Sequence, residues 1–248
     1  LEWPIDLLIV LVWVLYAVLF FGTIAKRKVN HIFVANWFFG AFIIVVALIF
    51  ILNNLAMPVS LMKSYSVFAG AQDAIIQWWW GHNAVGFLLT AGIIGMNYYF
   101  IPKISEPIYS YRLSIIHFWG LVGFYTWAGT HHLIYSSVPV WVQNIGIVMS
   151  LILWLPSWAG AFNSAMTLLQ NKKKLKTDYI MWFFMSAILY YCLATFEGPL
   201  LAIRWFKMLA HNTEWIIGHV HSGALGWVAM SGIATFYYFI PRLWGKQG

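Results

Sequence analysis

Apolar residues run along this chain in stretches too long and too unbroken for a soluble fold. Read with a window of about 20 residues, the length that crosses a hydrocarbon core as an α-helix, the chain divides into seven spans: 5–23, 33–53, 76–101, 112–134, 140–169, 179–203 and 215–240. The fifth is long enough to tilt or to run on past the bilayer. Polar residues between the spans are few, and no soluble domain, long linker or internal repeat interrupts them. The pattern predicts an all-α fold, a polytopic transmembrane helix bundle, with residues 1–248 forming a single transmembrane domain.

Composition sharpens this picture. Hydrophobic residues make up 62% of the chain and charged residues 8%, whereas a soluble domain carries roughly a quarter charged residues. Membrane lipid is therefore the solvent for most of the surface. A net charge of +7 would point to nucleic acid in a soluble protein, but here the cations are confined to loops. After the odd-numbered spans come Lys26, Arg27, Lys28, Lys103, Arg112, Lys172, Lys173, Lys174, Lys176, Arg242 and Lys246, against Lys63, Arg204 and Lys207 after the even-numbered ones. Eleven against three is positive-inside topology rather than a nucleic-acid surface; it makes the odd loops cytoplasmic and puts the N-terminus outside. The single cysteine, Cys192, allows no internal disulfide. A chain that opens on Leu1 and stops shortly after Arg242, within a membrane pattern, reads as a piece of a longer subunit.

Ionisable groups inside a membrane are costly and mark function by default. With the topology above, His82, the adjacent His131 and His132, and the pair His219 and His221 all fall near the outer face, on three different spans. A lone membrane histidine is commonly just hydrogen-bonded to a neighbouring helix; five at one level predict a metal centre. His219 and His221 stand about 200° apart around a helix. They cannot share an ion, but each can be the axial ligand of its own haem. His131 and His132 are about 100° apart and, with His82, make a three-imidazole set suited to copper, zinc or iron. His31 lies beside a cytoplasmic basic cluster and reads as an interfacial anchor, and Trp78–Trp80 as an aromatic belt.

The stretches WWWGHNAVGF (78–87), YSYRLSIIHFW (109–119), YTWAGTHH (125–132), ATFEGP (194–199) and IGHVHSGALGW (217–227) resemble subunit I of the cbb(3)-type cytochrome c oxidases, the C family of haem–copper oxidases. Subunits of that family have about twelve membrane helices, so the seven spans would be its helices four to ten. The resemblance implies reduction of O2 to water with electrons from cytochrome c, passed on by companion haem-c subunits in a bacterial inner membrane, and coupled to proton uptake and translocation. It implies two haem b groups, high-spin and low-spin, and a copper called copper B. His82, His131 and His132 would hold that copper, His219 the high-spin haem iron and His221 the low-spin haem iron, whose other histidine lies on an early helix outside this chain. Tyr125 would be the active-site tyrosine cross-linked to His82, Glu197 the hydrogen-bond acceptor of His219, and His211 a haem propionate contact, with Arg204 and Lys207 nearby.

Tyr125 and His132 are seven residues apart, within about 20° on one helix face, and Ser114 lies eleven before Tyr125 on the same stripe. A polar group there, on the cytoplasmic half, fits a proton path; His117, about 60° off the stripe, is a weaker member of it. The nearest competing function is nitric oxide reduction, with non-haem iron in place of copper. Those enzymes carry a glutamate one helical turn after the first histidine ligand, where this chain has Gly86. A haem-carrying anchor subunit or a histidine proton-relay transporter has less use for this set of residues.

Overall fold

The structure is a computed structural model and describes residues 2–245; Lys246, one of the topological cations, lies outside them. Its helices are α1 (Trp3–Ala25), α2 (Val34–Asn53), α3 (Gly70–Ile104), α4 (111–133), α5 (Val140–Leu169), the short α6 (Lys172–Leu175), α7 (Tyr179–Ala202), the short α8 (Arg204–Ala210) and α9 (Glu214–Trp244). Six of them, α1, α2, α3, α5, α7 and α9, are long and apolar enough to cross a membrane. Residues 111–133 form one further helical run, less apolar and broken into α, π and 3-10 segments. Span ends read from hydropathy fall close to these bounds, except that α3 begins at Gly70 rather than at 76.

Local chemistry explains several starts. Ser110, Asp178 and Thr213 each accept a backbone N–H from the first turn that follows, at Leu113, Ile180 and Trp215, meeting one of the donors a helix leaves unpaired. Pro139 ends the preceding turn and opens α5. Between α2 and α3 the chain makes an antiparallel hairpin, β1 (Ala56–Ser60) with β2 (Lys63–Ser66). Hydropathy gave no sign of it. Trp3 Nε1 donates to Ser60 O at 3.0 Å and Ser64 Oγ to Glu2 at 3.2 Å, which fastens the hairpin to the start of α1.

Neighbours pack in chain order, α2 on α3, α3 on α4, α4 on α5, α5 on α7 and α7 on α9, and α9 returns to α3, where Phe100 meets Tyr238 and Phe239. Phe38, Phe87, Leu121 and Phe184 are among the largest fully buried side chains of this bundle. α1 sits outside it against α2, and none of its most apolar window is buried. Apolar residues thus face outward as well as inward, as expected where lipid replaces water.

The helices that carry the candidate residues are not regular. His82 is followed at once by a π segment, Ala84–Ala91; Tyr125 closes a second, Leu121–Tyr125; His221 precedes a third, Ser222–Ala229. His131 and His132 sit in a 3-10 turn, Gly129–Leu133. Such interruptions are rare in ordinary helices and frequent at functional sites. They also invalidate the wheel arithmetic that set Tyr125 and Ser114 on one stripe, because π and 3-10 turns advance by other angles than an α-helix.

Candidate metal centre

His82, His131 and His132 converge. One ring nitrogen from each lies within 4.8 Å of the other two, although they come from α3 and from the end of α4. The His82–His131 ring centroids are 4.7 Å apart and those of His131 and His132 are 4.4 Å apart. His82 Nδ1 faces His132 Nε2 at 3.4 Å, while its Nε2 is buried without a hydrogen-bond partner among the described residues. An imidazole nitrogen left so is expensive unless something binds it. The Tyr125 ring stacks on His82 at 4.3 Å and 26°. Trp78 is less a free member of an aromatic belt than expected: its ring stacks on His132 at 4.0 Å, and Trp79 Nε1 donates to Thr126 O at 2.9 Å, tying α3 to α4.

Gly86 explains the tyrosine's position. A Cβ built there would fall within the Tyr125 ring. Any side chain at 86, a glutamate above all, needs the space that the tyrosine fills.

His219, on α9, lines the same cavity of about 470 Å³ as the three histidines. Its Nδ1 is 3.2 Å from Glu197 Oε2 on α7, which leaves Nε2 as the ring atom available for ligation. His221 turns elsewhere: it is exposed, does not line the cavity, and its Nδ1 donates to Ile217 O at 2.8 Å. The two positions therefore diverge, as their spacing requires. Cavities of a few hundred Å³ with apolar walls and a few convergent polar groups suit cofactors. Tyr191 and Trp227, with ring centroids 4.5 Å apart, form part of the apolar wall. The three-imidazole donor set, with His82 Nδ1 turned to His132, fits a metal ion, and His219 in the same cavity leaves Nε2 for a metalloporphyrin.

The outer rim sorts the three candidate polar residues. Lys207 and His211 line the cavity. Lys207 is buried, its Nζ donates to His131 O at 2.6 Å, and burial pulls its ammonium down to about 8. Arg204 does not line the cavity; its guanidinium donates to Gln143 Oε1 at 3.2 Å and Asn144 Oδ1 at 2.8 Å. Arg204 thus braces α8 on α5.

Below the cavity lies a buried polar network. Asn163 Nδ2 donates to Ser114 Oγ at 3.0 Å and approaches the Tyr98 hydroxyl at 3.5 Å. That hydroxyl is 3.2 Å from His117 Nδ1, and His117 Nε2 is 3.1 Å from the Tyr191 hydroxyl. Ser114 and His117 are both buried, and His117 is the hub rather than the outlier its angle implied. Sequence reasoning missed Tyr98, Asn163 and Tyr191. They lie on three other helices, and no single-helix periodicity could join them; their placement in otherwise apolar spans was the available signal.

Comparison with known proteins agrees with this geometry. The family model described as cytochrome C and quinol oxidase polypeptide I matches residues 1–248. The chain is 58% identical over 248 residues to the cbb3-type cytochrome c oxidase subunit CcoN1 of Stutzerimonas stutzeri, covering 100% of this chain and 52% of that protein. It is 53% identical over 251 residues to cytochrome c oxidase subunit 1 of Rhodobacter capsulatus, covering 100% and 47%. A cytochrome c oxidase subunit 1 from Synechocystis is more distant, 23% identical over 255 residues, covering 94% and 45%. The chain spans about half the length of the relatives it matches most strongly. With its membrane helices, its histidines gathered on one cavity and a match that runs its whole length, the chain belongs to the cytochrome c and quinol oxidase polypeptide I family.

Proposed function

We propose that this chain is the central part of the catalytic subunit of a cbb(3)-type terminal oxidase, which reduces O2 to water with electrons from cytochrome c. One observation carries the reading: three imidazoles gathered within 4.8 Å in a cavity whose wall also includes His219 and Tyr125. In this reading residues 1–248 form one membrane domain of seven spans, with residues 111–133 crossing among their more apolar neighbours. The membrane is the bacterial inner membrane, and haem-c subunits of the complex deliver the electrons.

His82, His131 and His132 hold copper B. His219 holds the high-spin haem b iron, and His221 provides one ligand of a low-spin haem b. When bound, the two metals of the cavity supply the electrons and Lewis acidity that oxygen reduction needs. Glu197 accepts the Nδ1 proton of His219 in a hydrogen bond, which raises the basicity of Nε2. Lys207 and His211, at the cavity rim, meet the carboxylates of the porphyrin. Tyr125 holds a proton at its hydroxyl beside the copper ligands, its ring stacked on that of His82, the residue to which the resemblance implies it would be cross-linked.

Protons reach the cavity from the cytoplasmic side. Ser114, held by the Asn163 amide, passes them to Tyr98, and from there they go on to His117 and Tyr191, whose side chain forms part of the cavity wall. Each charge moved against the membrane potential stores about 2.3 kcal/mol per 100 mV. The related nitric oxide reductases need a glutamate where Gly86 stands, and Tyr125 fills that space. Metal analysis of the complete subunit tests the choice. Two irons and one copper support the oxidase, and three irons without copper overturn it.

A further inference from the structure

His131 is held at its ring and its carbonyl, and closely approached at its backbone nitrogen, by residues from elsewhere in the fold. Lys207 Nζ takes the carbonyl at 2.6 Å. α5 takes the rest, through residues spaced one turn apart. Thr130 Oγ1 donates to Val142 O at 2.7 Å; Gly146 comes so close that a Cβ there would run into the His131 nitrogen and Thr130; and Ser150 Oγ is 2.6 Å from His131 Nδ1. His132, the next residue, makes none of these contacts. It stacks on Trp78 instead.

The ring contact has a definite proton assignment. A serine hydroxyl has one proton to donate and lone pairs to accept with. Ser150 Oγ lies 2.6 Å from Gly146 O, its own i−4 carbonyl, which can only accept. The hydroxyl proton therefore belongs to that bond. At 2.6 Å from His131 Nδ1 the oxygen must then accept, so Nδ1 carries the imidazole proton and Nε2 carries the free lone pair. With the opposite arrangement, two bare oxygens would face each other across the Gly146 contact. We infer that Ser150 is a positioning residue that selects the Nε2-ligating tautomer of His131 and fixes the plane of its ring.

This inference rests on the copper site proposed above. Partners that orient a ligating histidine change metal affinity by about 10–100-fold when removed. The test uses the complete oxidase with Ser150→Thr and Ser150→Val, which share a shape and differ in the hydroxyl, and with Ser150→Ala. The readouts are copper per iron during titration with a copper chelator, the reduced haem spectrum, and the infrared band of carbon monoxide photolysed onto copper. Ser150→Val and Ser150→Ala are expected to lose half their copper at about 10–100-fold less chelator than wild type, with a shifted infrared band and an intact haem spectrum. Ser150→Thr is expected to retain copper as wild type does. Equal retention by the Thr and Val variants overturns the inference while leaving the copper site standing. Wild type without copper overturns the site itself.

Discussion

Replacing Glu197 by Gln keeps the shape and the acceptor oxygen while removing the carboxylate charge 3.2 Å from His219 Nδ1. Hydrogen bonds to charged groups contribute about 1.5–3 kcal/mol, roughly double neutral ones. The pair is only partly screened, with side-chain exposures of 26% for His219 and 14% for Glu197, so a loss near the lower end, about 1.5 kcal/mol, is expected. The sign follows from charge. A negative carboxylate behind the ligand favours ferric over ferrous iron, and its removal favours the reduced form. For one electron a tenfold change in equilibrium corresponds to about 59 mV, so the midpoint potential of the high-spin haem should rise by about 60 mV. The assay is an optical redox titration of the complete oxidase, with the low-spin haem, whose ligand His221 has no contact with Glu197, as the internal reference. A high-spin midpoint that stays within about 15 mV of wild type, or that falls, would refute the assignment of Glu197 as the partner of the iron ligand.

Gly86→Glu should displace the Tyr125 ring, since even a Cβ overlaps it; oxygen turnover is expected to be abolished with both haems still visible in the reduced spectrum, and turnover at the wild-type rate would show that Tyr125 is not held where it stands. Ser114→Ala and Tyr191→Phe each remove one hydroxyl from the buried network; steady-state oxygen consumption should fall by about tenfold or more, in line with general acid–base effects, and unchanged rates in both would remove this route from the proton path. Lys207→Met removes the donor to His131 O and leaves a buried carbonyl unpaired, so the complex should lose about 1–3 kcal/mol of stability, read as an earlier thermal loss of the haem spectrum than in wild type.

Hydropathy alone located the long helices, because a stretch such as residues 179–203 is legible wherever lipid is the solvent. It also gave the expectation that five histidines share one level, since expected depth follows from the order of the spans. What it could not supply was rotation. His117 seemed peripheral by its angle to Tyr125, yet it joins Tyr98 and Tyr191, residues 19 and 74 positions away. Arg204 and Lys207 looked alike as loop cations, but only Lys207 turns to the cavity while Arg204 is engaged by the amides of Gln143 and Asn144. The hairpin at 56–66 escaped because two short strands leave no mark in a window built for helices. Motif resemblance filled part of the gap for the histidines, Tyr125 and Glu197. It offered no hint of Ser150, whose role exists only in three dimensions.

The wide turns beside His82, Tyr125 and His221 make the number of residues a functional variable in its own right. A π turn accommodates one residue more than an α turn, so deleting a single apolar residue from 84–91 would let the helix close up into regular α geometry. The two halves of the helix would then keep their relative rotation, whereas the same deletion from the regular stretch 92–104 would turn everything on the outer side by about 100°, carrying His82 out of reach of His131 and His132. Every ligand would still be present, and a hydropathy profile would barely register the loss. In this fold, counting errors are as damaging as chemical ones.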